Sequence, residues 1–221
     1  MELIPISDRI GVMEEIWTLP FEKNPLPSGY TSLPFQIFKK VASEEELRLL
    51  TSQFEGEKEE GRVVGGGLNR KERRVNLYPP SPTAIQTFLQ IVGRVSSEIE
   101  RFWGGAIGGG SEIQLLEYLP GGFYNCHADN ASTLKRGDRV IGFRVVKPER
   151  RLTTLLFLND RFEGGELEFC FLKWLKSGEP VRLTPEAGEL VVFPSHGLYS
   201  HRVHPVRSGR RLAMVKWWNL F

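Results

Sequence analysis

A chain of 221 residues, 40% hydrophobic and 25% charged, with 14 Phe and 5 Trp, carries enough apolar mass for one large packed domain. Its 29 basic and 27 acidic residues leave a net charge of +2, which argues against an electrostatically driven nucleic-acid binder. Cys126 and Cys170 are too few for a disulfide framework, so free thiols in a reducing compartment are the expectation.

The opening residues, MELIPISDRI, are too polar for a signal peptide, and no apolar run approaches the length of a membrane span. A cytoplasmic protein is expected. Residues 1–30, broken by Pro20, Pro25, Pro27 and Gly29, read as an irregular arm over the main body. Residues 33–39 alternate as an opening strand. Ser43 followed by Glu44, Glu45 and Glu46 starts a helix running to about Phe54, with a capping residue and acidic groups in the first turn. Residues 56–69 form a glycine-rich loop of the kind that borders active sites. The basic run Arg70, Lys71, Arg73 and Arg74 follows it, either a solvated face or the rim of a pocket for an anionic substrate. Arg73 to Tyr78 reads as a strand stopped by Pro79 and Pro80. Ser81-Pro82 opens a second helix, whose apolar positions Ile85, Phe88, Leu89, Val92, Val95, Ile99 and Phe102 recur at helical spacing to Trp103.

Beyond Gly104 the period changes to short strands at 111–119, 123–129, 152–158, 166–172, 180–184, 189–193, 201–206 and 210–218, separated by turns rich in Gly, Pro, Asn and Asp. Eight strands at this spacing predict a mainly β fold, a double-stranded β-helix or jelly roll, with the helices 43–54 and 82–103 packed on one sheet. Residues 131–150 interrupt the series as an insertion loop or hairpin. One catalytic domain is expected over 1–221, with the arm at 1–30, supporting strands and helices at 31–110 and the jelly-roll core at 111–218. Gly108-Gly109-Gly110 lacks the Lys-Ser/Thr of a phosphate loop.

The stretch Tyr118-Leu-Pro-Gly-Gly-Phe-Tyr-Asn-Cys-His127-Ala-Asp129 places a histidine and a carboxylate two residues apart, on one face of an extended chain. These are two ligands of the 2-His-1-carboxylate triad that holds non-haem Fe(II). Taken singly, the pair is weak evidence. His201 can supply the distant third ligand, with His196 and His204 as competitors. His196 stands in a turn and is placed at the site mouth. His204 is three residues from His201 and falls on the opposite face. Arg211, ten residues after His201, can lie on the adjacent antiparallel strand and offer a bidentate partner to a carboxylate. Arg210 alternates out of the pocket. Thr154, Leu156, Asn125 and Trp217 fall on inward phases as candidate lining, and Cys126 has the opposite phase to His127.

These motifs together resemble the Fe(II)- and 2-oxoglutarate-dependent dioxygenases, and within them the prolyl 4-hydroxylase-like group. The likeness runs through Tyr118…His127-x-Asp129, then Thr154-Leu-Leu-Phe-Leu-Asn-Asp160 with Phe162-Glu-Gly-Gly-Glu-Leu-Glu-Phe169. It continues through Val192-Phe-Pro-Ser195, His201-x-Val-x-Pro-Val206 and Gly209-x-Arg211, covering roughly residues 112–218. The resemblance implies iron ligands His127, Asp129 and His201, with Arg211 and Tyr118 on the distal carboxylate of 2-oxoglutarate. It implies Fe(II), 2-oxoglutarate and O₂, with ascorbate keeping the iron reduced. Asp129 at the carboxylate position favours hydroxylation over halogenation. The implied substrate is a prolyl or other residue in a protein or peptide. A small molecule or free amino acid is the alternative, and a non-catalytic metal-binding jelly roll is the reading from a different class. Neither membrane nor nucleic acid is expected as a partner, and a monomer is compatible with the pattern.

Overall fold

The computed structural model describes residues 2–21, 26–27, 31–55, 58–61 and 69–221. Two antiparallel sheets face each other. In one, the strands run in the order Leu3–Pro5, Ile10–Met13, Leu167–Trp174, His201–Val203, Phe123–His127 and Arg73–Arg74, with Pro180–Leu183 also paired to Leu167–Trp174. In the other the order is Gln36–Phe38, Leu190–Pro194, Leu152–Phe157, Arg211–Leu220, Gln114–Tyr118, Asn76–Tyr78 and Glu59–Glu60, with Ile107–Gly108 also paired to Arg211–Leu220. This is the jelly roll that the strand spacing predicts.

The second sheet is buried on both faces. Leu155, Phe157, Val191, Phe193, Ala213, Val215 and Trp217 point between the sheets, where they meet Phe169 and Tyr199. Leu156, Leu190, Val192 and Met214 point the other way, against Leu50, Phe88, Ile91, Ile99 and Trp103 from the helices. Alternation along each strand thus feeds two cores, and the result is three layers.

The helix Glu44–Thr51 has the capping box its sequence promises, with Ser43 accepting from the Glu46 N–H and Glu46 accepting from the Ser43 N–H. The long helix expected over 82–103 is two helices, Pro82–Gly93 and Ser96–Trp103. Gly93 is a poor helix former, Val95 leaves the helical region at φ −115° and ψ 5°, and Ser96 Oγ donates back to the Gly93 carbonyl at 3.0 Å. Arg94 at the break binds the Val41 carbonyl and the Glu46 carboxylate, tying the two helical units together.

Three further expectations change. The arm at 1–30 contributes two strands to the first sheet, because Ile10 and Val12 are fully buried there and Ile10–Met13 pairs with Leu172–Trp174. Arg73 to Tyr78 is not one strand: Arg73–Arg74 joins the first sheet and Asn76–Tyr78 the second. Cys126 and Cys170, expected as free thiols, form a disulfide, their Cα atoms 6.3 Å apart across 44 residues of sequence. The insertion at 131–150 is a hairpin, Ala131–Arg136 with Arg139–Val145. The loop expected at 56–69 lies for the most part outside the described residues. No described helix is long and apolar enough to cross a membrane.

Candidate active site

His127 and His201 face each other across a strand pair. His201 is opposite His127 and Val203 is opposite Tyr124, so two steps on one strand span three on the other. That extra residue is a β-bulge, and it brings Tyr124 and His127 to the same face. Their rings stack with centroids 3.4 Å apart. Asn125, expected inward by strict alternation, is turned out and donates to the Lys71 carbonyl at 3.1 Å and to Glu72.

Asp129 follows just past the strand end. Its Oδ1 is 3.7 Å from His127 Nε2 and its Oδ2 is 4.0 Å from His201 Nε2. One donor atom from each of the three side chains lies within 4.8 Å of the others, a set that can hold a metal ion. Each imidazole is oriented by backbone. His127 Nδ1 is 2.8 Å from the Asn125 carbonyl and His201 Nδ1 is 3.1 Å from the Tyr199 carbonyl, so each Nδ1 carries the proton and each Nε2 presents a lone pair. Burial pushes the His127 pKa well below its ordinary value, with His201 nearby adding to the effect, which keeps the ring neutral. For Asp129 burial pushes upward, but His201, His127, the Thr153 hydroxyl and Arg150 together outweigh it and hold the carboxyl below its usual range. The Thr153 hydroxyl donates to Asp129 Oδ2 at 2.7 Å and sits 2.8 Å from Ser195 Oγ.

A cavity of about 360 Å³ extends from these three residues to Arg211. Arg211 lies opposite Tyr118 in the second sheet and is 1% exposed. Its Nε donates to the Gly165 carbonyl at 2.8 Å, while Nη1 and Nη2 have no partner among the described residues. The guanidinium lies between the Tyr118 and Phe157 rings, about 5 Å from each centroid. Burial pushes its pKa down to about 10, which leaves it charged at neutral pH. Gly165 is required there: its φ is +66°, and a Cβ would come 2.8 Å from Arg211 Cδ. A buried cation with two nitrogens unpaired among the described residues and aimed at a cavity matches a carboxylate, and the His-Asp-His donor set matches a ferrous ion. The residues present therefore fit both groups.

Of the other predicted lining residues, Trp217 is in the cavity wall. Thr154 and Leu156 are not. Thr154 accepts from Trp218 Nε1 and Leu156 packs toward the helices; Thr153 and Leu155 line the cavity instead. His196 is buried away from the cavity and accepts from the Leu198 N–H at the start of a short 3₁₀ turn. His204 lies outside as expected, 2.8 Å from the Glu168 carboxylate, and Arg210 pairs outward with Glu117. Thr153, Tyr124, Arg73, Lys147 and Arg150 are site residues absent from the predicted set. Arg73 carried a signal in the basic run before Tyr78. Thr153 carried none, because a strand buried on both faces shows no alternation to read.

Residues 113–219 match the 2OG-Fe(II) oxygenase superfamily. That match covers just under half of the chain, and the fold and site are similar to those of the 2OG-Fe(II) oxygenases and of the prolyl hydroxylases among them. A PKHD-type hydroxylase of Acidovorax ebreus is 27% identical over 180 residues, 80% of this chain and 74% of that one. Prolyl 3-hydroxylase 2 of Homo sapiens is 35% identical over 71 residues, 32% of this chain and 10% of its own length, so the chain spans about a tenth of that relative. A prolyl hydroxylase from Trichoplax adhaerens, solved with a hypoxia-inducible-factor peptide fragment, has the same fold. Its TM-score is 0.66 at 19% identity, over 84% of this chain and 83% of that one.

Proposed function

We propose that the protein hydroxylates a C–H bond of a prolyl or other residue in a protein or peptide, using Fe(II), 2-oxoglutarate and O₂. The observation that carries this reading is the pair of unpartnered Arg211 nitrogens across one cavity from His127, Asp129 and His201. His127, Asp129 and His201 would hold the iron on one side and leave its other positions open. Bound iron and 2-oxoglutarate would supply oxidative decarboxylation coupled to oxygen transfer. The protein's own contribution is placement. Arg211 would grip the far carboxylate of the cosubstrate with two parallel N–H bonds, and the Tyr118 hydroxyl would add a third donor. Thr153 would hold the Asp129 carboxylate in its coordinating orientation. Leu116, Leu155, Phe193 and Val215 would keep water from the cosubstrate. The hydroxylase names of relatives such as the Acidovorax protein and prolyl 3-hydroxylase 2 support the reaction and the residue class.

The test is succinate release from 2-oxoglutarate with Fe(II) and ascorbate, run with a panel of proline-containing peptides and beside His127→Ala. The expected result is succinate formation by the wild-type chain, gain of one oxygen atom by a peptide, and neither with the variant. A wild-type chain that binds neither Fe(II) nor 2-oxoglutarate without O₂ would overturn the assignment.

A further inference from the structure

A doubly charged 2-oxo dicarboxylate and a ferrous ion cancel each other, which leaves Asp129 against Arg211 and the other cations of the wall. The cavity wall holds other cations, Lys147 and Arg150 among them, and Asp129 is its only carboxylate among the described residues. Among the described residues, neither Lys147 nor Arg150 makes an ion pair. Arg150 spends its hydrogen bonds on Ser111 Oγ at 3.1 Å and the Asp129 carbonyl at 3.1 Å, neither of which neutralises it. Its guanidinium lies 3.7 Å from the Trp217 ring centroid, so the charge is held in place. Once iron and cosubstrate are accounted for, the wall keeps an excess of positive charge: Arg150 shares the fields of Asp129 and Glu149, and Lys147 has no ion pair among the described residues.

The same charge continues outward. Between 131 and 151 stand seven basic residues against Asp138 and Glu149, whereas the rest of the chain carries more acid than base. This stretch is the hairpin that leads into Lys147 and Arg150. Phe143 anchors it against Phe21 and Phe171, while Leu134, Ile141 and Val145 stay exposed. Among the described residues its two strands pair only with each other, so both outer edges can accept an extended chain.

We infer that the substrate is an acidic polypeptide, with a carboxylate close to the target residue seated on Arg150 and Lys147 and further acidic residues along the hairpin. The inference rests on the peptide-hydroxylase reading above and names its substrate class. The hairpin edges, unpaired among the described residues, favour a polypeptide over a nucleic acid, because only a peptide main chain can add strand-like hydrogen bonds there.

The test is binding without turnover. The full chain, loaded with Mn(II) and 2-oxoglutarate under anaerobic conditions, is titrated with three proline-centred peptides of equal length flanked by Asp and Glu, by Ala, or by Lys. A single-stranded oligonucleotide is the fourth probe. The acidic peptide is expected to bind at least about tenfold more tightly than the neutral one, with the basic peptide weakest. Lys147→Glu, at an exposed position outside any strand, is expected to abolish or invert that order, and Arg150→Gln to weaken it. Equal binding of the three peptides, binding by none, or an order that survives both substitutions would overturn the inference. Tighter binding of the oligonucleotide, lost in Lys147→Glu, would overturn it in favour of nucleic acid. Acidic preference in binding with no oxygen incorporated would count against the hydroxylase reading alone, so the two failures are distinguishable.

Discussion

Asp129 shows how one side chain is tuned by neighbours from three elements. Its carboxylate is 5% exposed, a setting that by itself favours the protonated form, yet its pKa is held down. His201 and His127 come from the first sheet and Thr153 from the second, so the tuning exists only when the sheets face each other. His127 and Asp129 were legible as a pair because they stand two positions apart, on one face of an extended chain. Thr153 was not. Thr153→Val keeps the shape and removes the donor, leaving Asp129 Oδ2 and Ser195 Oγ each without a side-chain hydrogen-bond partner among the described residues. The expected result is a loss of about 10- to 100-fold in Fe(II) affinity, measured by anaerobic titration, with the melting temperature changed little. Unchanged affinity would show that the hydroxyl does not orient the carboxylate.

Among the elements, the strand Phe123–His127 departs furthest from its sequence pattern. Its alternation predicts Asn125 beside His127; the bulge against His201–Val203 puts Tyr124 there. A bulge is a mismatch in counting between two strands, so neither strand's sequence reveals it alone. The disulfide beside it has the same origin, since Cys126 and Cys170 meet only after their strands assemble in one sheet. Closing a loop across 44 residues of sequence removes unfolded-state entropy worth about 4 kcal/mol. Urea denaturation of the Cys126→Ser/Cys170→Ser protein is expected to show a loss of that order relative to the oxidised wild type. Equal midpoints would mean that the two sulfurs are not joined.

At the scale of the whole molecule, Glu168 ties strands of the first sheet together at its outer face. His204, Arg182 and Arg202 all lie within 3.2 Å of its carboxylate oxygens. Burial pushes its pKa up, but Arg182, His204 and Arg202 outweigh that and hold it below the ordinary glutamate value. With a folded pKa below an unfolded one of about 4.3, the stabilisation is complete above about pH 4.3 and is lost as pH falls through the folded pKa. Glu168→Gln is therefore expected to lower the melting temperature at neutral pH and to flatten its decline on acidification. Parallel acid limbs for the two proteins would refute this role.

Taken by itself, the sequence determined the composition of the site and the order of its parts. Ser43 with Glu46 and Ser81 with Pro82 marked helix starts, because capping is local chemistry. The H-x-D pair, His201 and Arg211 declared their types and spacing, because metal and carboxylate recognition demand particular atoms. Tertiary structure alone decided which faces met. Residues 152–157 are buried on both sides, so nothing in their pattern distinguishes Thr153 from Thr154. The bulge at Tyr124, the disulfide and the approach of Arg150 to Trp217 are relations between distant segments. They arise only when two sheets close over a shared core, and no periodicity within one segment records them.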